Sequence, residues 1–369
     1  MKRVLIGILV LGCLFGQLFG FATLTAGGGD EITFTTNIPG VDVFKNGRPF
    51  VTIEGTNKTV KVKREKGEVL LKVRASGICG SDIPRVFVKG TYHFPTIPGH
   101  EFAGEIVESD SKDLTGKKAA VFPMLPCGKC GACEIGEYAQ CENYDYYGSR
   151  RDGGFAEYIA VKEWNLVIMP DDLSFEEAAI CEPASVALHA VNQADIQVGD
   201  KVVIYGAGPI GMILSQWAKM NGAGNVEVVD IDPEKIRFAK KLGFNEYDGS
   251  YKANVVIEGT GASSALENCF MTAGNFGRVV LMGNPLGDMN ISQKAYWEIL
   301  RKQLILKGTW NSSYNNMKNE WKISIDAMKS GSLDVKSLIT HRYDLKDCNR
   351  AFEMMRDKKE FYSKVLFCM

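Results

Sequence analysis

No sign of charge dominates this chain of 369 residues: 43 lysines and arginines stand against 44 aspartates and glutamates, a formal net charge of -1. That balance gives nucleic acid no field to follow, and the one dense basic run, Lys61-Val62-Lys63-Arg64-Glu65-Lys66, has no aromatics on which bases would stack. It reads as a solvated strand face. Low-complexity tracts and long internal repeats are missing, and a 45% apolar, 24% charged composition is that of an ordinary globular protein, so disorder is not expected. Cysteine is too sparse, at ten residues, for a disulfide-stapled secreted domain. Histidine is scarcer still, with four.

Long apolar runs are confined to the start. Residues 1–26, MKRVLIGILVLGCLFGQLFGFATLTA, join a basic beginning to an apolar stretch and a small-residue end, the pattern of a signal peptide or a single membrane anchor. Membrane contact is expected only through this segment. Residues 27–66 follow as an atypical β-rich segment, with short alternating strands broken at Pro39-Gly40, Asn46-Gly47 and Gly55-Thr56. The two pairs Pro39-Gly40 and Asn46-Gly47 give residues 31–66 a faint similarity to a PEGA-type surface module.

What cysteine there is clusters. Cys127, Cys130, Cys133 and Cys141 fall at the spacing C-x2-C-x2-C-x7-C. Disulfides between residues three apart close strained loops, whereas four thiolates meet one tetrahedral Zn2+ at about 2.3 Å without strain. All four positions are sulfur, and none is left for a substrate. This lobe is expected to hold a structural zinc.

A second pattern runs from Val202 to Asp232. An apolar β-branched strand leads into Gly206-x-Gly208-x-x-Gly211, with Pro209 and Ile210 opening an apolar-periodic helix, and a second strand ends at Asp230, nineteen residues past the last glycine. Strand, glycines, helix, strand and carboxylate in that order predict a dinucleotide site on a doubly wound parallel sheet. Gly206 makes the turn, Gly208 admits the pyrophosphate, and Gly211 lets helix and strand pack. Asp230 should take the adenosine ribose hydroxyls and repel a 2'-phosphate, which favours NAD.

Cys79 in GICGSD, His100 and Glu101 in GHEFAGEIV twenty-one residues later, and Glu182 in CEPASVALHAV suggest a mixed sulfur, nitrogen and oxygen metal site with an open position. Together with the four-cysteine lobe, GSRRDGGFAEYIAV at 148–161 and YGAGPIG, these segments resemble the zinc-dependent medium-chain alcohol and polyol dehydrogenases. Within that family the chain is most similar to the galactitol-1-phosphate 5-dehydrogenase and sorbitol dehydrogenase members, and GSRRDGGFAEYI with SDIPR, which replaces the commoner sorbitol-type pattern, resembles the galactitol-1-phosphate 5-dehydrogenase branch.

The resemblance implies a GroES-like β-barrel catalytic domain over residues 67–183 and 314–369 and a Rossmann NAD-binding domain over 184–313. It implies one catalytic and one structural Zn2+, with Cys79 and His100 as catalytic ligands and either Glu101 or Glu182 as the third. The expected reaction passes hydride from a polyol or polyol phosphate to NAD+, with Ser81 taking the hydroxyl proton or, in its plainer role, capping a helix. Asp82 is expected to orient His100 or to cap that helix. Pro84 stands where many relatives carry a relay histidine. Arg150 and Arg151 are candidates for a substrate phosphate; Tyr92, His93 and Trp310 are candidates for the cleft. His189 and His341 are expected to be structural.

Homo-oligomers are usual in the family, and one is expected here. NAD and reduced thiols place the chain in the cytoplasm; the leader conflicts and keeps a second possibility open, an exported or tethered binding module without turnover. The first 66 residues replace the strands that normally open the barrel, so residues 31–66 either supply substitutes or leave it incomplete.

Overall fold

The computed structural model describes residues 65–285 and 287–369 in full and, ahead of them, the backbone of five short strands between Ala22 and Val62. Ile32–Thr36 lies antiparallel between Ala22–Ala26 and Val60–Val62, and Val41–Lys45 pairs with Arg48–Ile53. The end of the apolar leader is therefore a strand. Among the described pairings none of these five joins the seven-stranded sheet that follows, so the structure gives no support to substitute barrel strands. The rest of the leader, residues 1–21, lies outside the described residues. No helix among those described is long and apolar enough to cross a membrane.

The seven-stranded sheet is organised by one long strand, Glu68–Ile78. Along one edge it pairs antiparallel with Glu101–Glu108; along the other it pairs first with Tyr158–Lys162 and then with Lys364–Cys368. Period-two alternation puts Val69, Leu71 and Val73 on one face, and a register irregularity between Val73 and Ala75 breaks that alternation beyond. Val69, Leu71 and Val73 pack with Phe102, Ile106, Val121 and Ile159 on one side. Ala75, with Ala103 and Ala120 from the neighbouring strands, joins the main core on the other, where small side chains admit the helix Phe175–Ala179. Ser174 caps that helix with a capping box completed by Glu177.

The second sheet has six parallel strands in the order Asn245–Glu246, Asn225–Val229, Lys201–Tyr205, Ala253–Glu258, Ala273–Leu281 and Ile305–Gly308. Its direction of winding reverses between Lys201–Tyr205 and Ala253–Glu258, the position at which such sheets open a ligand crevice beyond the strand carboxyl ends.

One helix, Cys181–Ala194, ties the two sheets together. It packs on Pro209–Met220 of the nucleotide-binding fold and on Glu320–Lys329, and Trp217 Nε1 donates to the Ala184 carbonyl at 3.0 Å. Trp321 is 1% exposed in the same core, its Nε1 bonded to Ser312 Oγ at 3.0 Å; truncating such a side chain to alanine costs about 3–5 kcal/mol. His189 is held there by Glu320 at 3.0 Å, a structural role as expected. Because the helix is fixed along its length, its first turn is a rigid mount for Glu182.

Candidate active site

Three separate elements deliver the mixed donor set. Cys79 follows the long central strand; the Asp82 amide donates to the Cys79 carbonyl, and Asp82 Oδ2 accepts the Cys79 amide, each at 3.0 Å. Glu101 opens the adjacent strand directly opposite Gly77, which brings it and His100 beside that turn. One donor atom each of Cys79, His100 and Glu101 then lies within 4.8 Å of the other two. Asp82 Oδ1 is 3.6 Å from His100 Nδ1 and takes a 2.9 Å bond from Arg85, so Asp82 faces the imidazole as expected.

Glu182 is in the same pocket but outside that triplet. Its Oε1 accepts a 3.2 Å hydrogen bond from the Tyr146 hydroxyl. Glu101 is engaged by Lys364, a lysine only 4% exposed whose Nζ also donates to the Ile78 carbonyl at 3.2 Å. Lys364 and Tyr146 escaped the sequence reading. A lone lysine in the apolar run SKVLF was a usable signal; nothing in YDYYGSR marked Tyr146.

The pocket is short of positive charge. Burial, with Glu101 and Asp82 adding, pushes the Cys79 thiol up to about 11. Burial also pushes Glu182 up to about 8, raised further by Glu101 and Cys79 and opposed by His100 and Lys364. One ammonium cannot compensate a thiolate and two carboxylates, whereas a divalent cation would favour their ionised forms. A soft thiolate, an imidazole and a carboxylate suit zinc.

Ser81 does not cap the short helix that follows it. Its hydroxyl donates instead to Cys79 Sγ at 3.3 Å, which leaves the oxygen lone pairs free to accept.

In the lobe the four thiols are free and mutually within 4.8 Å. The Cys130–Cys133 and Cys127–Cys133 sulfur separations, 3.5 and 3.9 Å, bracket the roughly 3.8 Å edge of a tetrahedron with about 2.3 Å zinc–sulfur bonds. Cys130 is lowered to about 6 by hydrogen bonding from the Glu142 and then the Cys133 backbone, and Cys127 is lowered chiefly by the Lys129 backbone.

The glycine turn has the expected form. Gly206 sits at φ +106° and donates to the Val229 carbonyl at 2.7 Å, and a Cβ on Gly211 would meet the Gly206 carbonyl oxygen at 1.8 Å. Nothing lies within 4 Å of a Cβ built on Gly208, so its approach is open, and Pro209 starts the helix with Ile210 behind it. Asp230 is pinned by the Ala207 amide at 2.8 Å and the Asp232 amide at 2.9 Å.

Residues 65–171 match the alcohol dehydrogenase GroES-like domain and residues 209–330 the zinc-binding dehydrogenase domain. Galactitol 1-phosphate 5-dehydrogenase of Escherichia coli is 37% identical over 298 residues, covering 76% of this chain and 86% of that one. The chain belongs to the zinc-dependent medium-chain alcohol dehydrogenase family. An L-threonine 3-dehydrogenase of Rhizobium rhizogenes is 33% identical over 311 residues, 78% of this chain and 88% of the relative. The solved structure of galactitol-1-phosphate dehydrogenase from Escherichia coli matches with TM-score 0.77 and 32% identity, covering 90% of this chain and 100% of that one. The dehydrogenase fold, with its GroES-like and Rossmann parts, is thus confirmed by sequence and by structure.

The remaining cleft candidates of this dehydrogenase are partly engaged. Arg151 is ion-paired with Asp145 at 2.7 Å. Arg150 lies over the rings of Tyr92 and Tyr144, at 4.5 and 4.2 Å from their centroids, and donates to the Tyr144 carbonyl. Both ring nitrogens of His93 meet backbone carbonyls, of Pro95 and Arg150. Trp310 is 52% exposed beside Asn311.

Proposed function

We propose that this dehydrogenase moves a hydride from a secondary alcohol carbon of a polyol or polyol phosphate to NAD+, leaving a ketose. The observation that carries the reading is the convergence of Cys79, His100 and Glu101 donors within 4.8 Å in a pocket short of positive charge. A zinc ion held there would supply Lewis acidity that lowers the pKa of a substrate hydroxyl. The chain's own groups do the rest. Ser81 Oγ accepts the substrate hydroxyl's proton as it releases its own hydrogen, otherwise directed to Cys79, outward to water, so the serine ends neutral and the proton leaves the site. Asp82 holds the His100 ring, and Lys364 holds Glu101.

On the nucleotide side, Gly206, Gly208 and Gly211 let the pyrophosphate reach the helix that opens with Pro209 and Ile210. Asp230, fixed by two amides, directs its remaining lone pairs to the ribose hydroxyls and opposes a 2'-phosphate, so NAD is favoured over NADP. Homology to a galactitol 1-phosphate 5-dehydrogenase supports the polyol class. Reduced thiols and a dinucleotide site fit a cytoplasmic enzyme. A homo-oligomer is supported by the edge strand Ile305–Gly308, where Ile305 and Leu306 are exposed close in sequence to Tyr296, Trp297 and Leu300 of the helix Gln293–Lys302.

The test is NADH formation on a panel of polyols and their phosphates, with bound zinc counted per chain. Two zinc ions and polyol-dependent NADH are expected. Polyol binding without any NADH would replace the enzyme with a binding module of dehydrogenase fold.

A further inference from the structure

Two carboxylates reach the catalytic pocket and each has a different side-chain partner. Glu101 faces the ammonium of Lys364, and Glu182 accepts from the Tyr146 hydroxyl at 3.2 Å. The Tyr146 backbone is clamped. It pairs with Met124, its amide donates to Asp145 Oδ1 at 2.8 Å, and its carbonyl accepts the amides of Ser149, Arg150 and Arg151. Its ring stands 5.9 Å from that of His100, tilted by 58°.

A phenol fixed in this way sets where the Glu182 carboxylate rests. The Glu182 backbone gives no freedom, since its helix is locked between the two folds. Drawing the Glu182 carboxylate across to the Cys79, His100 and Glu101 donors competes with the bond that holds Oε1 on Tyr146, and bonds to charged acceptors are among the stronger ones. The donor triplet that is assembled contains Glu101 and omits Glu182.

We propose that Tyr146 is a positioning residue which holds Glu182 out of the metal sphere, so that Cys79, His100 and Glu101 form the resting ligand set and one position stays open for substrate. This rests on the reading of that pocket as the catalytic zinc site. It assigns opposite tasks to the two carboxylates that sequence alone left interchangeable: Glu101 ligates, and Glu182 waits beside the open position.

The sign of the effect separates this role from mere packing. Replacing Tyr146→Phe keeps the ring and frees Glu182, which then competes for the open position as an additional protein donor. The full-length holoenzyme carrying Y146F is expected to retain its catalytic zinc about tenfold to a hundredfold more tightly against a chelator, a range set by one hydrogen bond to a charged group. Its kcat should fall with KM little changed. After exchange of that zinc for cobalt, the d–d absorption should change in intensity between parent and Y146F, reporting the altered donor set. In an E182Q background the Tyr146→Phe change should alter neither metal retention nor spectrum.

Zinc held equally or less tightly in Y146F, or tightened as much in the E182Q background, would overturn the proposal. Cys79→Ser provides the separate check: if C79S still binds two metal ions, the zinc-site reading itself fails. If C79S loses one ion while Y146F shows no tightening, only the role of Tyr146 fails.

Discussion

The two thiol clusters of this dehydrogenase are assembled in different ways. In the lobe, four sulfurs come from one short segment, and the shifts are mixed: hydrogen bonds from the Glu142 and Cys133 backbone lower Cys130 to about 6, while burial raises Cys133. In the pocket, the donors come from separate strands and turns, are nearly all buried, and are balanced by a single lysine; Cys79 rises to about 11. The lobe is a local, saturated device. The pocket is a tertiary, unsaturated one, and unsaturation is what chemistry needs.

The comparison breaks most visibly at Cys79. We expect Cys79→Ser to lower kcat/KM by about a thousandfold or more, since Lewis acidity is then lost from the reaction, and zinc per chain to fall from two to one. Melting should move by only a few degrees, because the long strand and its neighbours do not depend on that ion. A C79S enzyme that kept both ions and its rate would make the pocket an ordinary buried cluster.

The converse change is Cys133→Ser. Here one zinc should again be lost, but the consequence is stability: a melting temperature lower by roughly 5–10 °C, with turnover of the folded enzyme at low temperature within about threefold of the parent. The lobe is tied to the rest of the chain by Tyr138 against Trp164 at 5.5 Å, by Asn315 donating to the Gly136 carbonyl at 2.7 Å, and by Lys318 to Glu137 at 3.0 Å. Loosening it should therefore be felt across that surface. Equal losses of rate in C79S and C133S, measured side by side, would erase the distinction between the two sites.

The same contrast governs what was legible in the sequence. The lobe and the glycine turn are written in consecutive residues, so the geometry of both is legible from spacing, Gly206 and Gly211 included. Cys79 and His100 were reachable because a thiol and a rare histidine follow recognisable turns. Which carboxylate stands with them was not, because Glu101 and Glu182 differ only in what the fold places against them: Lys364 from the last strand, and Tyr146 from a two-residue strand against Met124. Likewise the pairing of Arg151 with Asp145 and the stacking of Arg150 on two tyrosines are side-chain choices that spacing does not encode. The doubly wound parallel sheet was implied by the alternation of strands and helices; its six-stranded order and the isolation of the five leading strands from the other large sheet were not.

The smallest effect, and the one that sharpens the comparison furthest, is a pH dependence confined to the pocket. Burial raises Glu182 from its ordinary 4.5 to about 8 in the absence of a metal. The native state then binds a proton that the unfolded chain has released, so Glu182's contribution to stability is full below pH 4.5 and is lost as pH rises from there through about 8. Protein stripped of both metals should accordingly melt a few degrees lower at pH 8.5 than at pH 5.5 through this group. Glu182→Gln removes the titrating carboxyl and should flatten that part of the slope, and restoring zinc should oppose it, since a cation beside the pocket favours the carboxylate. The lobe supplies the internal control: in C133S, stripped in the same way, the slope assigned to Glu182 should be unchanged. A slope that E182Q leaves intact would mean that another group titrates there and that the charge deficit of the pocket is carried elsewhere.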